Sequence, residues 1–585
     1  MTDGAIAGAD RAPPSRVTAT AGRRPDPFRF MSLAILAVVA VLVVPPVVVL
    51  VQNSLFVMNA DGSHGAFTFD NFTHLFDDSN ILRSGWNSIQ FAALSTVFSL
   101  LFGGSLAWVV ERTDAPARGL AYLMTTVSLG IPLIIYVPAW LFFLGPVGPP
   151  NTLYHMLGGE GVLFNVNSIA GMVTIETLGW LPLAFLLFAA SFRAANAELE
   201  EAARMSGASI PTMVWRVSVP LAAPAALATG LFIFINTLQA FDVPKLVGTS
   251  AGIKLLTTDI YDDIREAVPP QVGHASAYSV VLTIVVAGLM VLYSRLSLNA
   301  SRFATVTGKG FRPRPLPLGR YRWLGGALVW ANFLIILGIP VLTLLWLSLN
   351  PYVQAVRLAA FKNLSLDNFR VVLGGGHYFD LVANTLISAG AAATATMALM
   401  VICGWLVARR RAYHTVLDQL VTLPMLLPGI VLSVAMMDVA LRSPVPLYST
   451  LTIIVIAFVV HYLPYGMRYT FSGVLQIHKE LEESAGVSGA SPAVTLRKVV
   501  MPLLWPSILA GWLFIFLNAS RDLSTPIILA GPDTKTIAVA IFDQATNGDF
   551  GEVAALGLAW SFLMSSVAVA FYVFMRRRGG TAFGL

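Results

Sequence analysis

Five residues of this chain set a titratable side chain in an apolar stretch, where it could pass or hold charge through a low-dielectric medium. Glu176 stands inside the apolar run 168–191, and His461 stands beside Tyr462 and ahead of Pro464 in another. Asp242, Arg521 and Asp522 close two further runs. A charge at the centre of a bilayer costs about 3 kcal/mol even on the lenient insertion scale, so such residues mark pathways, gates or partner contacts unless they pair locally or snorkel. Glu176 has the strongest claim to an interior position. Asp242, Arg521 and Asp522 suit a gate or a contact with an external partner, with local ion pairs as the alternative. His461 either lines a pathway or packs with its ring bonded to backbone. Enzymatic chemistries find no support. The eight histidines lack metal-ligand spacing, and no Ser-His-Asp set or paired-carboxylate site is visible. Gly308-Lys309-Gly310 lacks the residues that would make it a phosphate-binding loop. The single cysteine, Cys403, excludes disulfides within the chain.

A second pattern is mechanical. LEEAARMSGASIPTMVWRVSVPLAAP at 199–224 returns as LEESAGVSGASPAVTLRKVVMPLLWP at 481–506, with 12 of 26 places identical at an offset of 282. Glu200, Glu201 and Ala203 match Glu482, Glu483 and Ala485, while Ala202 is replaced by Ser484; Gly207 matches Gly489; Pro220 and Pro224 match Pro502 and Pro506. The Glu-Ala opening predicts a short helix with its acids near the positive end. The glycine ends it or permits a close backbone approach. A short amphipathic piece carrying Arg216 or Lys498 follows, and the prolines are expected to start the next long helix, where a missing N–H costs least. The product is a rigid lever between two long helices.

Those long helices are membrane spans. Of 585 residues, 56% are hydrophobic and 12% charged, about half the charge of a soluble domain. About 20 apolar residues cross a bilayer. Candidate spans fall near 31–52, 86–110, 120–144, 168–191, 222–241 and 276–294, then near 324–349, 381–407, 416–440, 447–470, 503–520 and 553–574. The fold class is all-α: a polytopic membrane protein with twelve transmembrane helices in two parallel six-helix repeats. Pro132 and Pro138 in the third span, and Pro424 and Pro428 in the ninth, are expected to kink it. The net charge of +6 reflects basic residues at span ends and excludes a need for nucleic acid. Arg112, Arg118, Arg409 to Arg411, Arg576 to Arg578 and the bridge 296–323 fall on one side, expected to be cytoplasmic together with both termini. The expected organisation is a disordered segment 1–30, a first domain 31–295, a basic linker 296–323, a second domain 324–575 and a tail 576–585.

The duplicated stretch resembles the EAA motif of membrane permeases of binding-protein-dependent ABC importers, the MetI-like family. Glu201, Ala202, Ala203 and Gly207 fit the motif in one copy, and Glu483, Ala485 and Gly489 in the other; Ser484 departs from it. The resemblance implies that each loop is a coupling helix docked on an ATPase. This fused chain would then serve two copies of a cytoplasmic ATPase and one periplasmic substrate-binding protein, in the bacterial inner membrane. ATP and magnesium would be held by the ATPase, with no cofactor on this chain, and transport would proceed by alternating access. The bridge RFATVTGKGFRPRPLPLGRYRW at 302–323 is similar to that of the ferric iron branch. Iron(III) is therefore the expected cargo, with thiamine, an aminoalkylphosphonate or another small solute as alternatives. A secondary transporter would also have twelve spans, but has no use for duplicated docking loops.

Overall fold

The computed structural model describes residues 27–58, 63–77, 79–128, 131–194, 198–300 and 315–577. Among them, eleven helices are long and apolar enough to cross a membrane, or twelve when a pair bent by 106° is counted as one span. A helix satisfies its own backbone bonds, which lipid cannot do. Val41, Leu101, Ile284 and Val569 point apolar side chains outward, where lipid rather than water is their solvent.

The first half runs through spans Pro27–Leu55, Ser79–Arg112, Leu133–Leu144, Ile169–Ala194, Val219–Leu238 and Val272–Ala300. The second runs through Arg322–Ser348 (with a π-helical turn at Leu334–Gly338), Gly376–Ala408, the bent ninth span, Leu451–Leu475, Met501–Ala519 and Phe550–Arg577. The third and ninth spans correct the expectation of continuous, kinked helices. Arg118–Ser128 forms a separate helix, and Pro132 caps the piece that follows it. In the ninth, Pro428 caps Gly429–Leu441 after His414–Leu426 has ended. An extended Pro cap breaks a helix where an interior proline, such as Pro138, is absorbed by it. Past a turn at 145–148 the third span runs on into Pro149–Met156, so that together they cover Leu133–Met156.

The halves exchange their first spans. Pro27–Leu55 packs on the sixth span of its own half and on the broken ninth span of the other. Ile339–Ser348 packs on the twelfth span and on Leu133–Leu144 of the first half. One continuous apolar core follows, running from Val39 to Met564 through both halves.

The repeat extends to side chains. Asn71 donates to Ser54 O at 3.2 Å, and Asn368, 297 positions later, donates to Ser348 O at 3.0 Å, each satisfying a carbonyl at the end of a first span. Asn87 and Asn384, the same offset apart, donate to Lys254 O and Lys535 O at 3.1 and 3.2 Å. Their neighbours Ser88 and Thr385 accept from Leu256 N and Ile537 N at 3.0 and 2.8 Å. The Asn-Ser and Asn-Thr pairs thus hold equivalent loops.

One end of the bundle carries the N-terminal helix start and both duplicated loops. The Arg411 guanidinium lies 3.8 Å from the Phe28 ring centroid, and Leu316, in the bridge, pairs with Arg112 and Asp114 through backbone bonds of 2.8 and 3.1 Å. Parallel halves require this arrangement. The first span starts at Pro27, inside the segment expected to be disordered; residues 1–26, most of the bridge and the tail beyond 577 lie outside the described residues.

Candidate functional site

Each duplicated loop folds into the same object. Helices Glu198–Met205 and Lys479–Val487 end at Gly207 and Gly489, whose φ angles are +85° and +83°. Ala208 N reaches Ala203 O at 3.0 Å while Gly207 N reaches Arg204 O at 2.9 Å, the paired bonds of a Schellman stop. Ala490 N to Ala485 O and Gly489 N to Gly486 O repeat it, both at 3.0 Å. A Cβ at either glycine would meet nothing, so the left-handed turn, and not close packing, selects glycine.

Ser209 and Ser491 then cap the following helix by accepting from Thr212 N and Val494 N. The long helix begins there, ten residues earlier than the prolines imply. Pro220 and Pro502 sit ten residues into it, two positions past the π-helical turns at Val214–Ser218 and Leu496–Val500. Proline has no N–H for the preceding turn, and Val219 N and Met501 N instead close wider rings onto Val214 O and Leu496 O. Pro224 and Pro506 lie within the same helices.

What fixes each loop to its half is a buried ion pair. Glu200 meets Arg112 at 3.4 Å, with both side chains 4% exposed, and accepts from Ser218 at 2.6 Å. Glu482 meets Arg409 at 2.7 Å and accepts from Trp405 Nε1 at 2.9 Å. Arg112 and Arg409 end equivalent second spans, four residues after Trp108 and Trp405; Trp108 donates to Ser218 at 3.3 Å. Sequence reasoning took both arginines as charge markers of a membrane side. The signal that could have separated them is the W-x-x-x-R pair recurring at offset 297. Glu201 and Glu483 are more open to solvent, Ala202 is exposed, and Ala203 and Ala485 are half-buried. Beyond them Met205 and Val487, equivalent residues missed in the sequence, are each 91% exposed. Two pinned helices thus expose two apolar tips at one end of the bundle.

At the opposite end the halves close on each other. Phe241, Tyr261 and Phe542 pack as tilted and edge-on rings with centroids 5.2 to 6.1 Å apart, and Arg265 donates to Ile528 O across the seam at 2.8 Å. Phe542→Ala is expected to cost about 3–5 kcal/mol of packing, read as a lower unfolding midpoint of the purified chain. Beside this seal, a polar pocket holds Arg83, Lys254, Asp259, Asp263 and His274. Lys254 pairs with Asp262 at 2.8 Å, as Lys535 pairs with Asp543 at 2.6 Å in the other half. Burial, helped by Asp259 and Asp262 and opposed by Lys254, pushes the Asp263 carboxyl from 3.8 up to about 7. The folded chain binds this proton more tightly than the unfolded one. Its stabilisation is complete below about 4 and is lost as pH rises through about 7. Asp263→Asn is expected to flatten this part of the stability profile in thermal melts between those pH values.

The five polar residues singled out within or beside spans converge near the seam. Glu176 is 1% exposed and accepts from Trp180 Nε1 at 2.8 Å. Asp242 lies within electrostatic reach of Glu176, Asp522 and Arg521, and Asp522 in turn of His461. Arg521 donates to Asn518 Oδ1 at 2.7 Å, and Asp522 accepts from Thr525 Oγ1 at 2.6 Å. His461 lines a cavity between the halves with Asn236, Gln239, Tyr293, Met425 and Tyr465. Its Nδ1 has no hydrogen-bond partner, and its ring packs edge to face on Tyr462 with centroids 4.8 Å apart.

A polytopic helical bundle of two repeats, each presenting a pinned short helix at the same end, fits an importer's membrane subunit. The chain belongs to the family of binding-protein-dependent transport system inner membrane components, whose model matches residues 99–302 and again 400–579. It is 25% identical over 494 residues to a ferric transport system permease protein of Actinobacillus pleuropneumoniae, covering 82% of this chain and 68% of that one. An Fe(3+)-transport system permease protein of Haemophilus influenzae is 21% identical over 79% of this chain and 84% of its own. A probable ABC transporter permease protein of Sinorhizobium fredii is 25% identical over 94% and 96%.

Proposed function

We propose that this chain is the complete membrane pathway of an ATP-driven importer of iron(III), working by alternating access. As a family member it moves a solute delivered by a binding protein. In the reading adopted here, 31–295 and 324–575 are its two permease domains, joined by the linker 296–323. The coupling end and both termini face the cytoplasm, and the aromatic seal faces the periplasmic receptor. Two ATPase copies, which carry ATP and magnesium, dock on the two loops through Glu201 and Glu483 and the tips Met205 and Val487. The observation that carries this reading is the twin loop: two identical stops, two buried Glu-Arg pins and two exposed tips in one chain. Iron is supported by two ferric transport permeases that match along most of the chain. Permeases for sulfoquinovosyl glycerol and glycerol 3-phosphate match over about half as much of it.

The test is cargo-stimulated ATP hydrolysis by the chain reconstituted with its ATPase and receptor. Ferric iron should stimulate, while thiamine and an aminoalkylphosphonate should not. Stimulation by either of those alone would replace iron as the cargo, and hydrolysis indifferent to all three would remove the assignment.

A further inference from the structure

The internal repeat supplies a control for one costly residue. Glu176 and Phe458 occupy equivalent places in the fourth and tenth spans, 282 apart, and both are buried, at 1% and 0% exposure. Trp180, the indole partner of Glu176, corresponds to Tyr462. The fold therefore accepts an apolar ring where the first half keeps a carboxyl. A buried carboxylate without a basic partner is disfavoured by several kcal/mol, a cost that a phenyl ring avoids. Glu176 is in that position. One oxygen takes the Trp180 N–H, the other has no partner, and no ion pair joins Glu176 to a base among the described residues.

Its neighbours deepen the imbalance. Asp242 corresponds to Ser524 in the second half, so this acid too is dispensable to the fold. Asp242 lies within electrostatic reach of Glu176 on one side and of Asp522 and the Arg521 guanidinium on the other. Asp242 lies at the seam beside Phe241, one of the rings that close it. Glu176 begins its helix's third turn, roughly 10 Å from its outer end at 1.5 Å per residue.

We infer that Glu176 and Asp242 form a pair of acids just inside the seal, which gives up its protons in exchange for a hard, multiply charged metal cation and passes that cation inward. This rests on the importer reading given above. Carboxylate oxygens suit hard cations, and the only thiol, Cys403, lies elsewhere. No group of three or more His, Cys, Asp or Glu among the described residues is placed to hold a metal ion. Two acids that attract without encaging fit a point of transit, where binding must be weak enough to release.

Terbium(III) is the probe, because Trp180 can sensitise the emission of an ion held at Glu176. Titration of the full-length chain in detergent should give tryptophan-sensitised emission, weakened about tenfold in apparent affinity by Glu176→Gln or Asp242→Asn, the loss of about 1.4 kcal/mol of cation attraction. Glu176→Phe copies the second half's own residue. Its unfolding midpoint, expected at or above that of the wild type, verifies that lost emission is not lost fold. The same variants in proteoliposomes with ATPase and receptor should take up radioactive ferric iron at least about tenfold more slowly. Emission equal in wild type and Glu176→Gln overturns the inference. So does uptake that survives Glu176→Phe, which would leave Glu176 a neutral packed acid. Emission that depends on Glu176, in a wild-type chain that imports no iron, would keep the cation-binding seam and reject iron as cargo.

Discussion

A chain carrying Gly207→Val and Gly489→Val together is expected to insert and fold but to lose its grip on the ATPase. Both glycines hold a left-handed conformation, at φ +85° and +83°. An L-residue there costs about 1–2 kcal/mol, and a β-branched one more, because its Cβ crowds the backbone. The strain cannot be relieved by neighbours, since open space already surrounds each site. It is relieved by opening the Schellman bonds, which swings the tip residues Met205 and Val487 out of register with the pins behind them. About 1.4 kcal/mol per loop is a tenfold weakening, so each substitution alone should reduce ATPase affinity about tenfold. A binding titration of the purified ATPase on the detergent-solubilised chain measures it. Asparagine tolerates the left-handed region, so Gly207→Asn and Gly489→Asn should bind nearly normally. Equal affinity for the valine and wild-type chains would show that loop geometry does not govern docking.

The second large effect is on stability. Glu482→Ala leaves Arg409, 6% exposed, without the carboxylate that meets it at 2.7 Å and that also accepts from Trp405. Breaking one partner of a buried pair costs about 3–5 kcal/mol, because the orphaned charge stays desolvated. Glu200→Ala should cost less. Its contact with Arg112 is longer, at 3.4 Å, and part of its bonding is with the Ser218 hydroxyl. Thermal unfolding of the two variants should rank them in that order. Replacing both partners, Arg409→Met with Glu482→Leu, should return the midpoint close to wild type, as apolar replacement of buried pairs does elsewhere. The double variant should still couple poorly, since the directional bonds orienting the helix are gone. A double variant as unstable as Glu482→Ala would mean that the pair itself, and not the orphaned charge, holds the loop.

Much of this was legible in the residues because lipid is an unforgiving solvent. Twelve apolar runs, their parity and the duplicated loop follow from a medium that tolerates neither free backbone groups nor loose charges. The left-handed glycines and the serine caps were foreshadowed by S-G-A-S written twice. The breaks in the third and ninth spans were not, because Pro132 and Pro428 end a helix while Pro138 and Pro182 do not, and tertiary packing decides which. The late placement of the prolines after π-helical turns was hidden for the same reason. Arg112 and Arg409 were obscured by an ambiguity of chemistry: an arginine closing a span serves equally as a topogenic charge and as a pin. The exchange of first spans between halves leaves no periodic trace, since it is a pairing of segments hundreds of residues apart. Convergence of Glu176, Asp242, His461, Arg521 and Asp522 was half visible. Each was conspicuous alone, but only the fold brings four segments to one seam.

The central claim is that one copy of this chain supplies both docking surfaces. Native mass measurement of the detergent-purified complex tests it most directly, with Gly207→Val as the companion sample under the same conditions. One chain with two ATPase copies is expected, shifting toward one chain with one ATPase when the first loop is strained. A complex of two chains with two ATPases, unchanged by the substitution, would contradict it.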